Sequence, residues 1–281
     1  MNPRQYQAFT DALQHNLERD PRVIGLMAAG SMANGSHQPD EWSDHDFWVV
    51  VESGAEAWFI NHQEWLPDHD QIVLYFREPV HGAIKAIYST AHLLEFAVSD
   101  RQGLLGVSVN DYHLLIDKAT LAADLKQMLT STESAHQEWI RDDLSLMGEF
   151  IANILVGICR YQRGELLSSR QFIKVSSLQP LLRLIPKHIP SERSDVLDSL
   201  DPLRRFEVAY PEIGAELNRL LQLEPGHAAS RLIDLADNLL RSKITNYPTE
   251  AVAAVRRRIL IYSQTFFQSL NEFRMGVVFG R

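Results

Sequence analysis

Cysteine is almost absent from this chain. Cys159 stands alone among 281 residues, which rules out an internal disulfide and a multi-cysteine zinc site. Long apolar runs are missing too. The longest, Phe150 to Cys159, is interrupted by Asn153 and falls short of the roughly 20 residues a bilayer span needs. The N-terminus, Met1-Asn2-Pro3-Arg4-Gln5-Tyr6, has no apolar signal segment, so a cytoplasmic protein with no membrane partner is expected. Positive charge is in deficit: 27 Lys and Arg face 36 Asp and Glu, for a formal net charge of −9. A field of that sign repels phosphate backbones, and nucleic acid is not an expected partner. The one dense basic run, Arg256-Arg257-Arg258, lies inside a helical pattern and reads as a solvated helix face. There is no Walker-type Gly-x-x-x-x-Gly-Lys loop, no dinucleotide-binding Gly-x-Gly-x-x-Gly and no His-Glu-x-x-His among the 11 histidines. P-loop, Rossmann and zinc-hydrolase chemistry therefore have no support.

What is present is ample material for a core, with 45% hydrophobic and 22% charged residues. The pattern changes near residue 120. Before it, short β-rich runs alternate with turns: Val23 to Met27, Phe47 to Val51, Ile72 to Phe76, Ala83 to Tyr88, Leu93 to Val98 and Tyr112 to Ile116. Asn34-Gly35 and Pro39 mark a polar loop between the first two. Residues 3–19 read as an amphipathic helix carrying Tyr6, Phe9, Leu13 and Leu17, and Ala55 to Ile60 reads as a second helix. After residue 120 the period is helical. Ile140, Leu144, Met147, Ile151, Ile154 and Ile158 form a stripe, with Gly164 as its stop signal. Further helices are expected near 211–223 and 227–243, with a break at Pro186 to Pro190. A last stripe runs through Val252, Val255, Ile259, Tyr262, Phe266, Leu270 and Phe273. The expected fold is α+β: a mixed-sheet domain with flanking helices over 1–120, then a helical bundle over 121–281.

Chemistry concentrates between the first two strands. Val23 to Ala29 runs into Gly30-Ser31, and a polar loop leads to Ser43-Asp44-His45-Asp46 and the apolar run Phe47 to Val51. Side chains alternate across a strand, so Asp44 and Asp46 share a face, roughly 7 Å apart, and His45 points the other way. Two carboxylates so placed call for a cation, and Mg²⁺ joins protein carboxylates to substrate phosphates. Gly30 permits close approach of a phosphate to the backbone, and Ser31 offers N–H and hydroxyl donors. A second Asp-x-Asp, Asp68-His69-Asp70, follows Pro67 without a Gly-Ser turn upstream and reads as a strand-entry loop.

The Gly30-Ser31 to Asp44-x-Asp46 pattern resembles the signature of the DNA polymerase β-type nucleotidyltransferase superfamily. The helical second half is similar in plan to the antibiotic branch, the aminoglycoside and lincosamide nucleotidyltransferases. The resemblance implies a Mg²⁺-dependent enzyme that moves a nucleoside monophosphate from a triphosphate, with ATP the expected nucleotide, onto a hydroxyl of a small, possibly cationic acceptor. It also implies a third carboxylate from a later strand. Glu95 in Leu93-Leu94-Glu95-Phe96 is the candidate, as metal ligand or general base; its alternative is a solvent-facing strand glutamate. The helical domain would then close over the acceptor. Protein or RNA nucleotidylation, and a catalytically silent nucleotide- or partner-binding module, are the alternatives.

Additional cations for a triphosphate would come from Lys174, with Arg170 one turn earlier on the same helix face, or from Lys85. Trp42, beside Asp44, is a candidate for stacking on the base. The acidic group Glu138, Asp142 and Asp143 either attracts a cationic acceptor or is a wet helix face.

Overall fold

The computed structural model describes residues 1–33, 38–79, 82–109, 111–140 and 142–260. The Asn34-Gly35 turn and the last four members of the C-terminal stripe, Tyr262, Phe266, Leu270 and Phe273, lie outside them. The chain divides into two units, Met1–His136 and Gln137–Arg281.

The first unit is built on six strands: β1 (Val23–Ala29), β2 (His45–Val51), β3 (Ile72–Arg77), β4 (Ile84–Tyr88), β5 (Leu93–Ser99) and β6 (Tyr112–Asp117). Their order is β3-β4-β5-β2-β1-β6. Only β2 and β5 run parallel; the other neighbours are antiparallel, so the sheet is mixed. The helices are α1 (Pro3–Glu18), α2 (Glu56–Asn61), α3 (Arg101–Leu104) and α4 (Ala122–Trp139). Helix α1 starts with a capping box, in which the Asn2 side chain accepts from Gln5 N–H and the Gln5 side chain accepts from Asn2 N–H. Its stripe, Tyr6, Phe9, Leu13 and Leu17, is buried with Phe47, Val49, Val51, Leu94 and Phe96. Met27 and Val50 belong instead to a second core with Leu104, Leu121, Leu125 and Met128. The period-2 alternation of the strands thus divides the apolar residues between two cores on opposite faces of the sheet.

The second unit is helical: α5 (Asp143–Gln162), α6 (Leu166–Gln171), a π-helical turn at Phe172–Ser176, α7 (Leu178–His188), α8 (Phe206–Ala209), α9 (Pro211–Leu221) and α10 (Pro225–Leu240). A further helix occupies 249–260. Met147, Phe150, Ile151, Ile154 and Ile158 of α5 form its core with Leu181, Leu184, Ile185, Leu232 and Ile233. Helix α5 is long and apolar enough to cross a bilayer by composition, yet this face of it is the core of the unit.

One sequence expectation needs correction here. The stripe does not begin at Ile140, which lies in the turn before α5, and Leu144 is exposed. The true start is set by Asp142, whose carboxylate caps the helix by accepting from Leu144 and Ser145 N–H. The break expected over Pro186 to Pro190 is present and falls after His188, since α7 continues through Pro186. A proline this close to a helix end forfeits one backbone bond, and the break follows it. Gly164 does terminate α5, with φ +74 just past the last turn.

Candidate active site

Strand β1 ends at Ala29, and Gly30 turns the chain with φ +54 into a single 3-10 turn, Gly30–Ala33. That conformation favours glycine, and a second constraint acts on the same atom. A Cβ at Gly30 would lie 2.8 Å from Asp46 Oδ2. The glycine corner and the Asp46 carboxylate are therefore in close approach.

Along β2 the burial alternates. His45 and Phe47 are sealed against α1, while Asp44 and Asp46 are only partly buried. Asp46 lies opposite Ala29 of β1 on one side and opposite Glu95 of β5 on the other. Glu95 is in turn opposite Lys85 of β4, and the two side chains form an ion pair at 2.9 Å. One rung of the sheet thus reads Lys85, Glu95, Asp46, Ala29. The Glu95 carboxylate beside it pushes the Lys85 ammonium above the usual lysine range.

Asp44 is fixed through its backbone. The Tyr6 hydroxyl of α1 donates to the Asp44 carbonyl at 2.8 Å and lies 3.3 Å from Ser31 Oγ; Ser31 Oγ also reaches that carbonyl at 3.4 Å. Helix, Gly-Ser corner and first aspartate are tied at one point. Burial raises the Tyr6 phenol well above the ordinary tyrosine value, so it remains a donor.

Behind β2 lies a second polar group. The Tyr6 ring stacks on His45 with centroids 3.8 Å apart. Thr10 Oγ1 donates to the Tyr6 carbonyl and lies 3.0 Å from His45 Nε2; His45 Nδ1 lies 2.7 Å from His92 Nε2. A hydroxyl has one hydrogen, so Thr10 accepts from His45 Nε2–H. His45 Nδ1 then accepts from His92 Nε2–H, an assignment that follows from the hydrogen-bond network. Burial lowers the pKa of His45 to about 3 and holds that of His92 below the usual histidine value.

The remaining sequence candidates sit as follows. Trp42 is 86% exposed in the loop before Asp44, where its backbone N–H donates to Asp40 Oδ1. Lys174 lies in the helical unit and donates to the Leu221 and Leu223 carbonyls at 2.7 and 2.5 Å, closing the end of α9. Arg170 pairs at 3.8 Å with Glu224. Asp68-His69-Asp70 forms the entry to β3, with a 3-10 turn at His69–Gln71. In the acidic group, Asp142 caps α5 and Asp143 pairs with Lys187 and His188. Arg256 of the basic run binds Asp234 and Asp237 of α10. The sequence reading missed Tyr6 and His92, which unite the site from behind. Tyr6 was visible only as one apolar position in the α1 stripe.

Among the described residues no group of three or more His, Cys, Asp or Glu side chains is gathered for a metal. The Asp46 carboxylate beside a glycine corner still suits Mg²⁺, which keeps several waters and is bound through one or two carboxylates plus substrate phosphates. A side chain at Gly30 would collide with Asp46 Oδ2, so the glycine is what lets the backbone and this carboxylate approach each other.

No family model and no curated protein matches the chain. Solved structures do. An aminoglycoside 6-adenyltransferase from Bacillus subtilis is 13% identical with a TM-score of 0.35, covering 90% of this chain and 96% of its own. The E. coli MS115-1 CdnC:HORMA-deltaN complex gives 9%, 0.30, 87% and 93% in the same order. The Bradyrhizobium diazoefficiens CD-NTase CdnG in complex with GTP gives 12%, 0.29, 92% and 94%.

Proposed function

We propose that this chain transfers a nucleoside monophosphate from a triphosphate, ATP in the first instance, to a hydroxyl of a small molecule and releases pyrophosphate. The observation that carries the reading is the contact of the left-handed Gly30 corner with the Asp46 carboxylate. A phosphate-binding turn and an acidic strand start are useful to one another only where phosphate and a divalent cation meet.

Asp44 and Asp46 would hold Mg²⁺ at the triphosphate. When bound, the ion neutralises phosphate charge and stabilises the entering and leaving oxygens of an in-line displacement. The chain's own part is positional. Gly30 and Ser31 present backbone N–H groups to the departing phosphates, and Tyr6 holds Asp44 and Ser31 together. Glu95, across from Asp46 and paired with Lys85, would take the acceptor's proton. Trp42 offers an exposed face to the base.

The test is incubation with Mg²⁺, each labelled triphosphate and a panel of aminoglycosides and lincosamides. Label on a small molecule, with loss of pyrophosphate release in Asp44→Asn and Asp46→Asn, is the expected result. Label on protein or RNA moves the acceptor to a macromolecule. Triphosphate binding without turnover leaves a silent binding module, and near-normal turnover in both variants overturns the assignment.

A further inference from the structure

A cavity of the first unit lies away from the carboxylate rung. It encloses about 910 Å³ between α1 and the loops before β2, β3 and β5, and it shares Asp44 with the site above but neither Gly30, Ser31, Asp46 nor Glu95. Its volume lies within the roughly 300–1,000 Å³ typical of small-molecule sites. Ala8, Ala12 and Phe9 of α1 give it an apolar wall, and Trp42 stands at its rim.

Two independent features define what it would bind. The first is charge. Glu41, Asp44 and Asp68 line it, and no lysine or arginine does so among the described residues. The one positive group is the Met1 ammonium, which donates to the Glu41 carbonyl at 3.2 Å. A phosphate-bearing ligand would meet repulsion here. The second is an acceptor on a largely buried side chain. His92 is 6% exposed and lines the cavity. Its Nε2–H is occupied by His45, so its Nδ1 carries a lone pair, and none of its hydrogen bonds within the protein uses that atom. That lone pair is open to the cavity, where a ligand N–H can bind it.

We propose that this cavity binds a small amine-bearing cation, separately from the carboxylate face of β2, with His92 Nδ1 accepting a ligand N–H and Asp68 and Glu41 balancing its charge. The ammonium enters a wall of acceptors, and its carbon skeleton covers Ala8, Ala12 and Phe9. The site depends on no transfer reaction, so it stands or falls apart from the proposed activity.

Isothermal titration calorimetry of the full chain tests it, with spermidine as the probe and sorbitol as its uncharged control. One saturable spermidine site and no sorbitol site are expected. Ala8→Trp, a change on the exposed side of α1 that fills the cavity, and Asp68→Asn should each weaken spermidine at least tenfold. His92→Phe should do the same. If that variant misfolds, the other two still decide. Asp46→Asn, which removes the proposed transfer chemistry, should bind spermidine within twofold of wild type. Absence of saturable binding, or binding unchanged by Ala8→Trp and Asp68→Asn, overturns the proposal.

Discussion

The hydroxyl of Tyr6 donates to the carbonyl oxygen of Asp44 across 2.8 Å, joining the first helix to the first of the two acidic residues. Because Ser31 Oγ lies within reach of the same two atoms, one phenol sets the spacing between the Gly-Ser corner and the strand. Tyr6→Phe keeps the stack on His45 and deletes only this link. A loss of about 1 kcal/mol in urea unfolding is expected, the usual worth of one hydrogen bond. The kcat for nucleotidyl transfer should fall by roughly tenfold while nucleotide KM stays near wild type, because geometry rather than binding is disturbed. Unchanged kcat would show that Ser31 alone fixes the corner.

The paired histidines behind β2 give the first unit a stability that depends on pH. Both are buried neutral and have lowered pKa values, His45 to about 3. The unfolded chain therefore binds protons that the folded chain refuses. Their contribution is fully present above the unfolded value near 6.5 and is lost as pH falls from there toward 3. For His45 alone the loss between pH 7.5 and pH 5 is on the order of 2 kcal/mol. Urea midpoints recorded across that interval should fall steadily, in a window where most carboxylates remain ionised. A flat profile would contradict the burial of this pair.

The order of elements was legible in the sequence because it is written in short-range patterns. Short apolar runs bounded by turn residues marked β1 and β2, and the Tyr6, Phe9, Leu13, Leu17 spacing marked α1 over Pro3–Glu18. Pro211 opens α9, as expected. The pairing of strands is nonlocal, so neither the sheet order nor the alignment of Asp46 with Glu95 could be read from the chain. The polar connections were hidden for a related reason. Tyr6 counts as apolar in a helical stripe, and only packing against His45 and Ser31 reveals the work of its hydroxyl. The break at Pro186 to Pro190 was legible, but its place after His188 was not, because proline's cost depends on its distance from the helix end.

Gly30 carries two constraints at once, a left-handed φ of +54 and a neighbouring carboxylate oxygen. In Gly30→Ala the backbone strain alone is worth about 1–2 kcal/mol. The new methyl must also displace Asp46 Oδ2, and a shift near 1 Å in a reacting constellation lowers rate by roughly a hundredfold. Transfer should therefore fall at least that far, with far-ultraviolet circular dichroism unchanged and a modest drop in melting temperature. Retention of more than a tenth of wild-type activity would remove Gly30 from the site.

Lys174 joins the π-helical turn to the end of α9 by donating to the carbonyls of Leu221 and Leu223. Burial, with Arg170 nearby, lowers its pKa below the ordinary lysine value, so its charge is tolerated there chiefly through those two oxygens. Lys174→Met has similar length and packs equally well along its stem, yet it leaves both acceptors without their donor. The helical unit should lose roughly 1–3 kcal/mol, the penalty for part-buried acceptors stripped of a charged partner. Lys174→Arg, which keeps a donor but not the compact ammonium, should recover part of that loss. Guanidinium unfolding followed by far-ultraviolet circular dichroism separates the two variants. Equal stability of Lys174→Met and wild type would mean that water supplies these carbonyls as well as the lysine does, and that the residue's value to the protein is not its place at the end of α9.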